Sequence, residues 1–286
     1  MTDNSGTLFV VATPIGNLGD LTLRARETLA RVDRIYAEDT RHSRKLLEHY
    51  TINTAMRSLH DHNEISRIPE ICQHLGEGYD IAMISDAGTP LLSDPGFRVV
   101  QAVTDAGLPV SPIPGASALL AALSVAGQAV ESFRFLGFPP AKSAACRAWL
   151  EKISNETATV VIYESPHRVL ATLQCMAEVL GPERSVTVAR ELTKRHETIC
   201  KTTIEQHLQM AASGQLVCKG EFVLVIGGKA ESVDDDSSEQ ELRRVIGILL
   251  KRLSARETSE CAVELTGCRK NLAYRIALEM VDAGEG

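Results

Sequence analysis

The chain has 286 residues, 44% hydrophobic and 23% charged, with a formal net charge of −7. That length fits two compact domains plus an extension, and the balance excludes a disordered chain. Aromatic residues at 4%, with Trp149 the single tryptophan, exclude a ring-stacking platform for single strands, and the acidic total means that any RNA contact has to come from a local basic patch, the alternative being a small-molecule substrate.

In chain order, residues 7–14 (TLFVVATP) read as a strand, 22–32 as a helix, 33–39 as a strand, 41–50 and 65–78 as helices, and 80–88 as a strand. Residues 94–107 read as a helix that begins near Pro95 with Asp94 as its cap. A strand (108–115) and a helix (116–127) follow. Short apolar strands alternating with helices predict parallel pairing and an α/β layer architecture. Pro139-Pro140 mark a junction. Beyond it come a helix (147–155), a strand (157–165), a helix with Pro166 in its first turn (166–181), a strand (185–193), a segment that alternates as its antiparallel partner (196–204), a helix (204–214) and a strand (220–228). The acidic stretch 231–240 reads as an exposed linker. Residues 241–254, 256–267 and 269–280 read as three helices, the last two resembling a helix-turn-helix at Gly267. A bundle that packs on the main body or on a partner subunit is the other reading.

The seven cysteines form no C-x-x-C pair, which points to a reducing cytosol and no structural metal. The polar N-terminus resembles no signal peptide, and no window reaches the roughly twenty apolar residues of a membrane span.

Ligands of open α/β sheets bind beyond the carboxyl ends of the strands, so the strand-end loops carry the functional reading. ATPIGNLGD (12–20) has glycines that let the backbone approach a ligand, yet lacks both G-x-G-x-x-G and a phosphate-loop lysine. ISDAGTPLLSDPG (84–96) holds more turn residues than a connection needs, and an acid at its strand end suits ribose hydroxyls or a sulfonium. PIPGASA (112–118) admits a flat ligand and offers free N–H groups. VIYESPHR (161–168), VARELTKRHE (188–197) and KGEF (219–222) complete the set.

Taken in order, TPIGNLGDLTLRA, AEDTRHSRKLL, ISDAGTPLLSDPG, PIPGASA, FLGFPP, YESPHR, ARELTKRHE and KGEFVLVIGG resemble the ribosomal RNA small-subunit methyltransferase I family of the tetrapyrrole-methylase-like superfamily. Corrin and porphyrin methylases carry G-x-G-P-G-D and G-D-P loops where this chain has TPIGNLGD and SDAGTP, which points to the RNA branch. The resemblance implies a class III methyltransferase: two α/β/α domains (1–117 and 118–230) followed by the linker and the helical extension (241–286). It further implies a cytoplasmic homodimer that binds S-adenosylmethionine in the interdomain cleft and methylates a cytidine 2′-hydroxyl of 16S ribosomal RNA near the decoding site, within the 30S subunit. Cofactor contacts would come from Pro14, Asp86, Gly88, Thr89, Ser117, Ala118, Tyr163, Ala189 and the Gly220-Glu221 turn.

Methylation of a hydroxyl gains from a nearby base. Asp39, His42, Glu164, His167, Glu191 and Lys194 are candidates, with Glu191, Lys194 and Glu164 foremost; a lysine would need a lowered pKa, which crowding by Arg190 and Arg195 could supply. Arg41, Arg44, Arg168, Arg190, Lys194 and Arg195, with Arg24, Arg26 and Lys45, are phosphate candidates or solvated helix faces. A tetrapyrrole methylase, an RNA-assembly factor without activity and a nicotinamide dehydrogenase are the competing classes.

Overall fold

In the computed structural model, which describes residues 5–229, 235–268 and 270–282, two five-stranded sheets follow one another along the chain. The first is built from β1 (Leu8–Val11), β2 (Arg34–Ala37), β3 (Met56–Ser58), β4 (Ile81–Ile84) and β5 (Val110–Ile113) in the order β3-β2-β4-β1-β5. Every pair in it is parallel, as the alternation of strands and helices predicts. Alternate strand residues face opposite layers. Val11, Ile35, Ala37, Ala82 and Ile84 pack with α1 (Leu23–Arg31) and α2 (Thr40–His49). Leu8, Tyr36, Ile81 and Met83 pack with α3 (Glu64–Gly76) and α4 (Phe97–Asp105). The edge strand β3 carries no apolar run, so sequence patterning does not mark it.

The second sheet comprises β6 (Phe133–Phe135), β7 (Thr159–Glu164), β8 (Ser185–Arg190), β9 (Thr198–Thr203) and β10 (Phe222–Ile226), in the order β6-β7-β10-β8-β9. It is mixed: β6 pairs parallel to β7, while β10 lies antiparallel between β7 and β8, and β9 is antiparallel to β8. Ile162, Val186, Val188 and Leu224 bury one face against α6 (Ser143–Glu151), α7 (Val169–Leu180) and α8 (Ile204–Ala212). Val161, Ala189, Val223 and Val225 turn the other way, onto Leu119, Ala122 and Leu123 of α5 (Ala118–Val125). Helix α5, which follows β5 of the first sheet in the chain, is therefore a layer on the second sheet. Both belong to one unit ending at Lys229.

Three local expectations are corrected. Asp94 does not cap α4. That helix starts at Phe97, Gly96 takes the cap position at φ 121°, and no side chain of its own caps it. The buried Glu64 does the work instead: its Oε1 accepts the N–H groups of Gly96 (3.1 Å), Arg98 (2.8 Å) and Val99 (3.3 Å). Pro166 lies before α7, in a turn where the Ser165 carbonyl accepts from Arg168 and Val169. The linker shortens too: residues 231–234 lie outside the described residues, but 235–240 open α9 (Asp235–Leu249).

Helices α9, α10 (Ala255–Thr266) and α11 (Lys270–Asp282) form a second unit around Leu242, Ile246, Ala262, Ala273, Ile276 and Ala277. Ser254 and Glu257 form a capping box at the start of α10, and Gly267 closes it in the left-handed conformation at φ 69°. Among the described residues, no helix is long and apolar enough to cross a membrane.

Glu64→Ala should lower the unfolding free energy by about 2–3 kcal/mol, because three donors at the start of α4 lose a buried charged acceptor. Glu64→Gln should lose less, since an amide oxygen still accepts. Urea denaturation measures both; an alanine variant as stable as the parent would remove Glu64 from this role.

Candidate functional site: a cleft at the carboxyl edge of the parallel sheet

Residues that leave the carboxyl ends of β1, β2, β4 and β5 line one side of a cleft of about 400 Å³, represented by Ile15, Glu38, Asp86 and Ser117. These strands are neighbours, so their loops stand in a row. The opposite wall is the second sheet, where register places Tyr163 of β7 and Ala189 of β8 on either side of Val223 in β10. Ile15, Leu92, Ala118, Leu192 and Val223 make the lining largely apolar, with Phe138 at its rim.

Backbone pairing sets the loops. Thr13 N–H donates to the Gly88 carbonyl (2.8 Å) and Gly88 N–H donates back to Thr13 (3.0 Å). Gly88 sits at φ 80°, and a Cβ there would stand 3.2 Å from Ile15 Cγ2. Thr89 Oγ1 donates to the Ala116 carbonyl (3.2 Å), tying the second loop to the third. Leu91 and Ser93 also take positive φ, 73° and 72°. Strain of this kind gathers where a loop is held to a shape its side chains do not favour. Across the cleft, Tyr163 stacks edgewise against Phe135 and Phe138 at 4.8 and 5.6 Å.

The polar lining is acidic. Asp86 Oδ1 accepts the Asp39 N–H (3.0 Å), and the Asp86 N–H reaches Glu38 Oε2 at 3.5 Å. Burial, then the charges of Asp94 and Asp86, raise the pKa of Glu38. Burial also raises Asp94, with Asp86 and Asp61 adding to it against a hydrogen bond from Ser85. Ser117 Oγ is buried in the lining without a hydrogen-bond partner. An orphan hydroxyl in a formed cleft is a ready contact for a polar ligand atom.

Of the residues expected to hold a cofactor, Asp86, Gly88, Thr89, Ser117, Ala118, Tyr163 and Ala189 all line this cleft. Pro14 and Gly220 do not; their neighbours Ile15 and Glu221 do. Gly220 serves a neighbour instead. At φ 86° it leaves room for the Glu191 carboxyl, whose Cδ would lie 2.4 Å from a Cβ there.

The three foremost bases fare differently. Lys194 Nζ lies 3.0 Å from Glu191 Oε1 and 2.9 Å from Glu221 Oε2. Burial alone would lower its pKa, but the hydrogen bonds and charges of these two acids hold the ammonium above its ordinary value. The crowding by arginines expected from sequence is absent, because Arg190 turns to the carbonyls of Lys219 and His196. Lys194 is a fixed cation here and not a base. Glu191 is kept ionised: burial opposes this, but the Glu221 N–H, Lys194 and Arg190 together hold its pKa below the usual value. Glu164 is buried with both oxygens engaged, by the Ser165 N–H (2.7 Å), Arg168 (3.0 and 3.1 Å) and Thr172 (2.6 Å). It fixes the turn before α7 and leaves no free oxygen for a substrate proton. The Arg41 guanidinium and N–H hold the Asp39 carboxyl at about 2, which makes it a poor base. His42 and His167 are exposed outside the cleft lining.

Among the phosphate candidates, Arg168, Arg190 and Lys194 are occupied internally, Arg168 also donating to the Pro139 carbonyl. Arg41 pairs with Asp39. Arg44 and Arg195 are exposed. No group of three or more His, Cys, Asp or Glu among the described residues could hold a metal ion.

Sequence reasoning missed Glu38 and Phe138 and misassigned Asp94. Glu38 had a usable signal, an acid at the carboxyl end of a short strand. Phe138 had none beyond its place before Pro139.

Residues 7–207 match the family described as tetrapyrrole (corrin/porphyrin) methylases. A ribosomal RNA small subunit methyltransferase I from Haemophilus influenzae is 45% identical over 278 residues, 97% of this chain and 98% of that protein. The protein of the same name from Escherichia coli O157:H7 is 43% identical, over 97% and 96%. Among solved structures, a uroporphyrin-III C-methyltransferase from Thermus thermophilus, complexed with S-adenosyl homocysteine, superposes with a TM-score of 0.53 at 18% identity, over 78% of this chain and 97% of that one.

Glu38 and Asp94 bind their protons more tightly folded than unfolded. The stability this contributes is complete below the ordinary carboxylate pKa of about 4 and is lost as pH rises through the raised folded values. Glu38→Gln should therefore raise the melting temperature of the ligand-free protein at pH 7.5, with the gain vanishing near pH 4. A melting temperature that falls at pH 7.5 would mean that the ionised carboxylate is satisfied in the cleft.

Proposed function

We propose, from the premise that this chain belongs to the tetrapyrrole methylase family and within it to the ribosomal RNA small subunit methyltransferase I family, that it is an S-adenosylmethionine-dependent ribosomal RNA methyltransferase whose donor lies in the cleft at the carboxyl edge of the parallel sheet. The observation that carries this is the convergence of four strand-end loops of one sheet with the Tyr163–Val223–Ala189 row of the other on a single apolar cleft with an acidic rim.

The residues present fit that donor. Ser117 Oγ is an unpartnered polar atom in the lining, and the glycine at 88 lets the backbone form a shallow cradle beside Ile15. Ile15, Ala118, Ala189, Leu192 and Val223 offer apolar walls to a flat base. Asp86 is placed to accept hydrogen bonds from ribose hydroxyls. S-adenosylmethionine supplies, when bound, a methyl group already activated by a positively charged sulfur. The clustered carboxylates favour a cation in the cleft, and the apolar walls exclude water that would compete with the acceptor.

The acceptor is a ribose 2′-hydroxyl of a cytidine in 16S ribosomal RNA near the decoding site, an assignment supported by the family resemblance. A base should aid such a weak acid, and the base has to be found among groups left free by the fold. Glu38 and Asp94 line the cleft, and their raised pKa values make them better proton acceptors than ordinary carboxylates. Either receives the hydroxyl proton as the acceptor oxygen is aligned, and alignment is the larger part of the task. The substrate is the assembled 30S subunit, a preformed surface that an acidic protein can dock on with few positive contacts. The protein works in the cytoplasm as a homodimer, again by family resemblance.

Methyl transfer from radiolabelled S-adenosylmethionine to purified 30S subunits tests the reading. Label is expected in an alkali-resistant 2′-O-methyl nucleotide of 16S RNA. Label in no RNA, with donor binding intact, would overturn the substrate assignment. Asp86→Ala should weaken binding of S-adenosylhomocysteine by about 10–100-fold; calorimetry that finds parental affinity would remove the second loop from the donor site. Asp94→Asn should reduce kcat by about 100-fold with KM for the donor little changed, whereas parental kcat would exclude Asp94 as the base.

A further inference from the structure

The outer layer made by α1 and α2 departs from the charge economy of the rest of the molecule. The chain carries seven more acids than bases. Most arginines in the first unit are tied to acids or carbonyls, three of them converging on Glu70 alone. Yet α1 holds Arg24, Arg26 and Arg31 against Glu27, and α2 holds Arg41, Arg44 and Lys45 against Glu48. The layer on the other face of the same sheet runs the opposite way: α3 and α4 hold Arg67 and Arg98 against Glu64, Glu70 and Asp105.

Four of these cations, Arg24, Arg26, Arg44 and Lys45, are exposed, and their side chains have no ion pair or hydrogen bond among the described residues. Their position is unfavourable for the helices themselves. Arg24 and Arg26 lie in the first turns of α1, and Arg44 lies just past the first turn of α2. The positive end of a helix dipole disfavours cations there. Neither helix has an acid in its first turn. Stability alone therefore does not explain them. The N-terminal ends of both helices lie toward the carboxyl edge of the parallel sheet, since α1 follows β1, α2 follows β2, and each leads back to a parallel strand. Leu23, the first residue of α1, is an uncovered apolar side chain at 74% exposure.

We infer that the α1–α2 layer is the surface that grips the substrate RNA, with Arg24, Arg26, Arg44 and Lys45 contacting the phosphates of a folded RNA segment whose target nucleotide enters the cleft. The inference rests on the RNA-methylating reading above and assigns its substrate face. Unpaired cations are released to phosphates without breaking internal ion pairs, and two helix N-termini add to the local positive potential. A basic layer on a protein of net negative charge also orients the encounter with an anionic partner.

The test compares the full-length protein with the quadruple variant Arg24→Ala, Arg26→Ala, Arg44→Ala, Lys45→Ala, and with a control carrying Lys142→Ala and Lys152→Ala, exposed lysines of the second half. Binding to 30S subunits is measured from 50 to 200 mM salt, with S-adenosylhomocysteine affinity and melting temperature alongside. The quadruple variant should bind at least about 10-fold more weakly, and its slope of log affinity against log salt should shrink by about three. Donor affinity, melting temperature and the control should stay at parental values. Parental subunit affinity and salt slope in the quadruple variant would overturn the assignment of this face while leaving the enzyme reading intact. A parent that binds the donor but methylates no RNA would overturn that reading, and this one with it.

Discussion

Two backbone hydrogen bonds, exchanged between Thr13 and Gly88, hold the arrangement on which the rest depends. They join the loops after β1 and β4, the two central strands of the parallel sheet, and so fix where the carboxyl edge opens. Ile15 is placed against Gly88 by that pairing, and Thr89 is brought to the Ala116 carbonyl. The loop ahead of α5 is thereby fixed, and α5 in turn packs on the second sheet. Gly16 continues the same loop beneath the Lys194 stem, whose Cγ would lie 2.4 Å from a Cβ there. One local pairing thus propagates into the spacing of both cleft walls.

Charge is divided between the cleft and the outside of the first sheet. Glu38 and Asp94 carry carboxyls where burial makes negative charge expensive, and Asp86 stands beside them in the same lining. Such a site favours a cation, and it keeps part of its carboxylate population ready to take up a proton. Arg24, Arg26, Arg44 and Lys45 of α1 and α2 remain in water and are not tied to acids among the described residues. A net charge of −7 describes neither region, because the average conceals a separation between the carboxyl edge of the sheet and the helices on one of its faces.

The residues around Lys194 show how a functional motif can be mostly architecture. Glu191 and Thr193 adopt φ values of 52° and 66°, unusual for side chains of their kind. That backbone is held by Glu221, which exchanges hydrogen bonds with Glu191 and pairs with Lys194. Gly220 clears the space for the carboxyl. The cluster ARELTK…KGE is therefore a joint between β8 and β10, and its charged residues are consumed by one another. Glu164, Arg168 and Thr172 form a comparable joint ahead of α7.

Apart from the edge strand β3, the strand-and-helix order of the first half was legible in the residues alone, with its parallel pairing, the family and the strand-end loops that line the cleft. Those features are local: apolar period, turn residues and strand-end glycines act within a few positions of one another. Which charged side chains were free depended on elements far apart in the chain. Asp94 looked like a helix cap, but Glu64, 32 positions before Gly96 at the start of α4, took that role and left Asp94 in the cleft. Lys194 looked available for a lowered pKa, but Glu221, distant in the chain, pairs with it. The antiparallel insertion of β10 between β7 and β8 was equally out of reach, since a strand's partners are chosen by the other strands present. Protonation, pairing and orientation depend on the nearest charges in space, and chain proximity does not specify them.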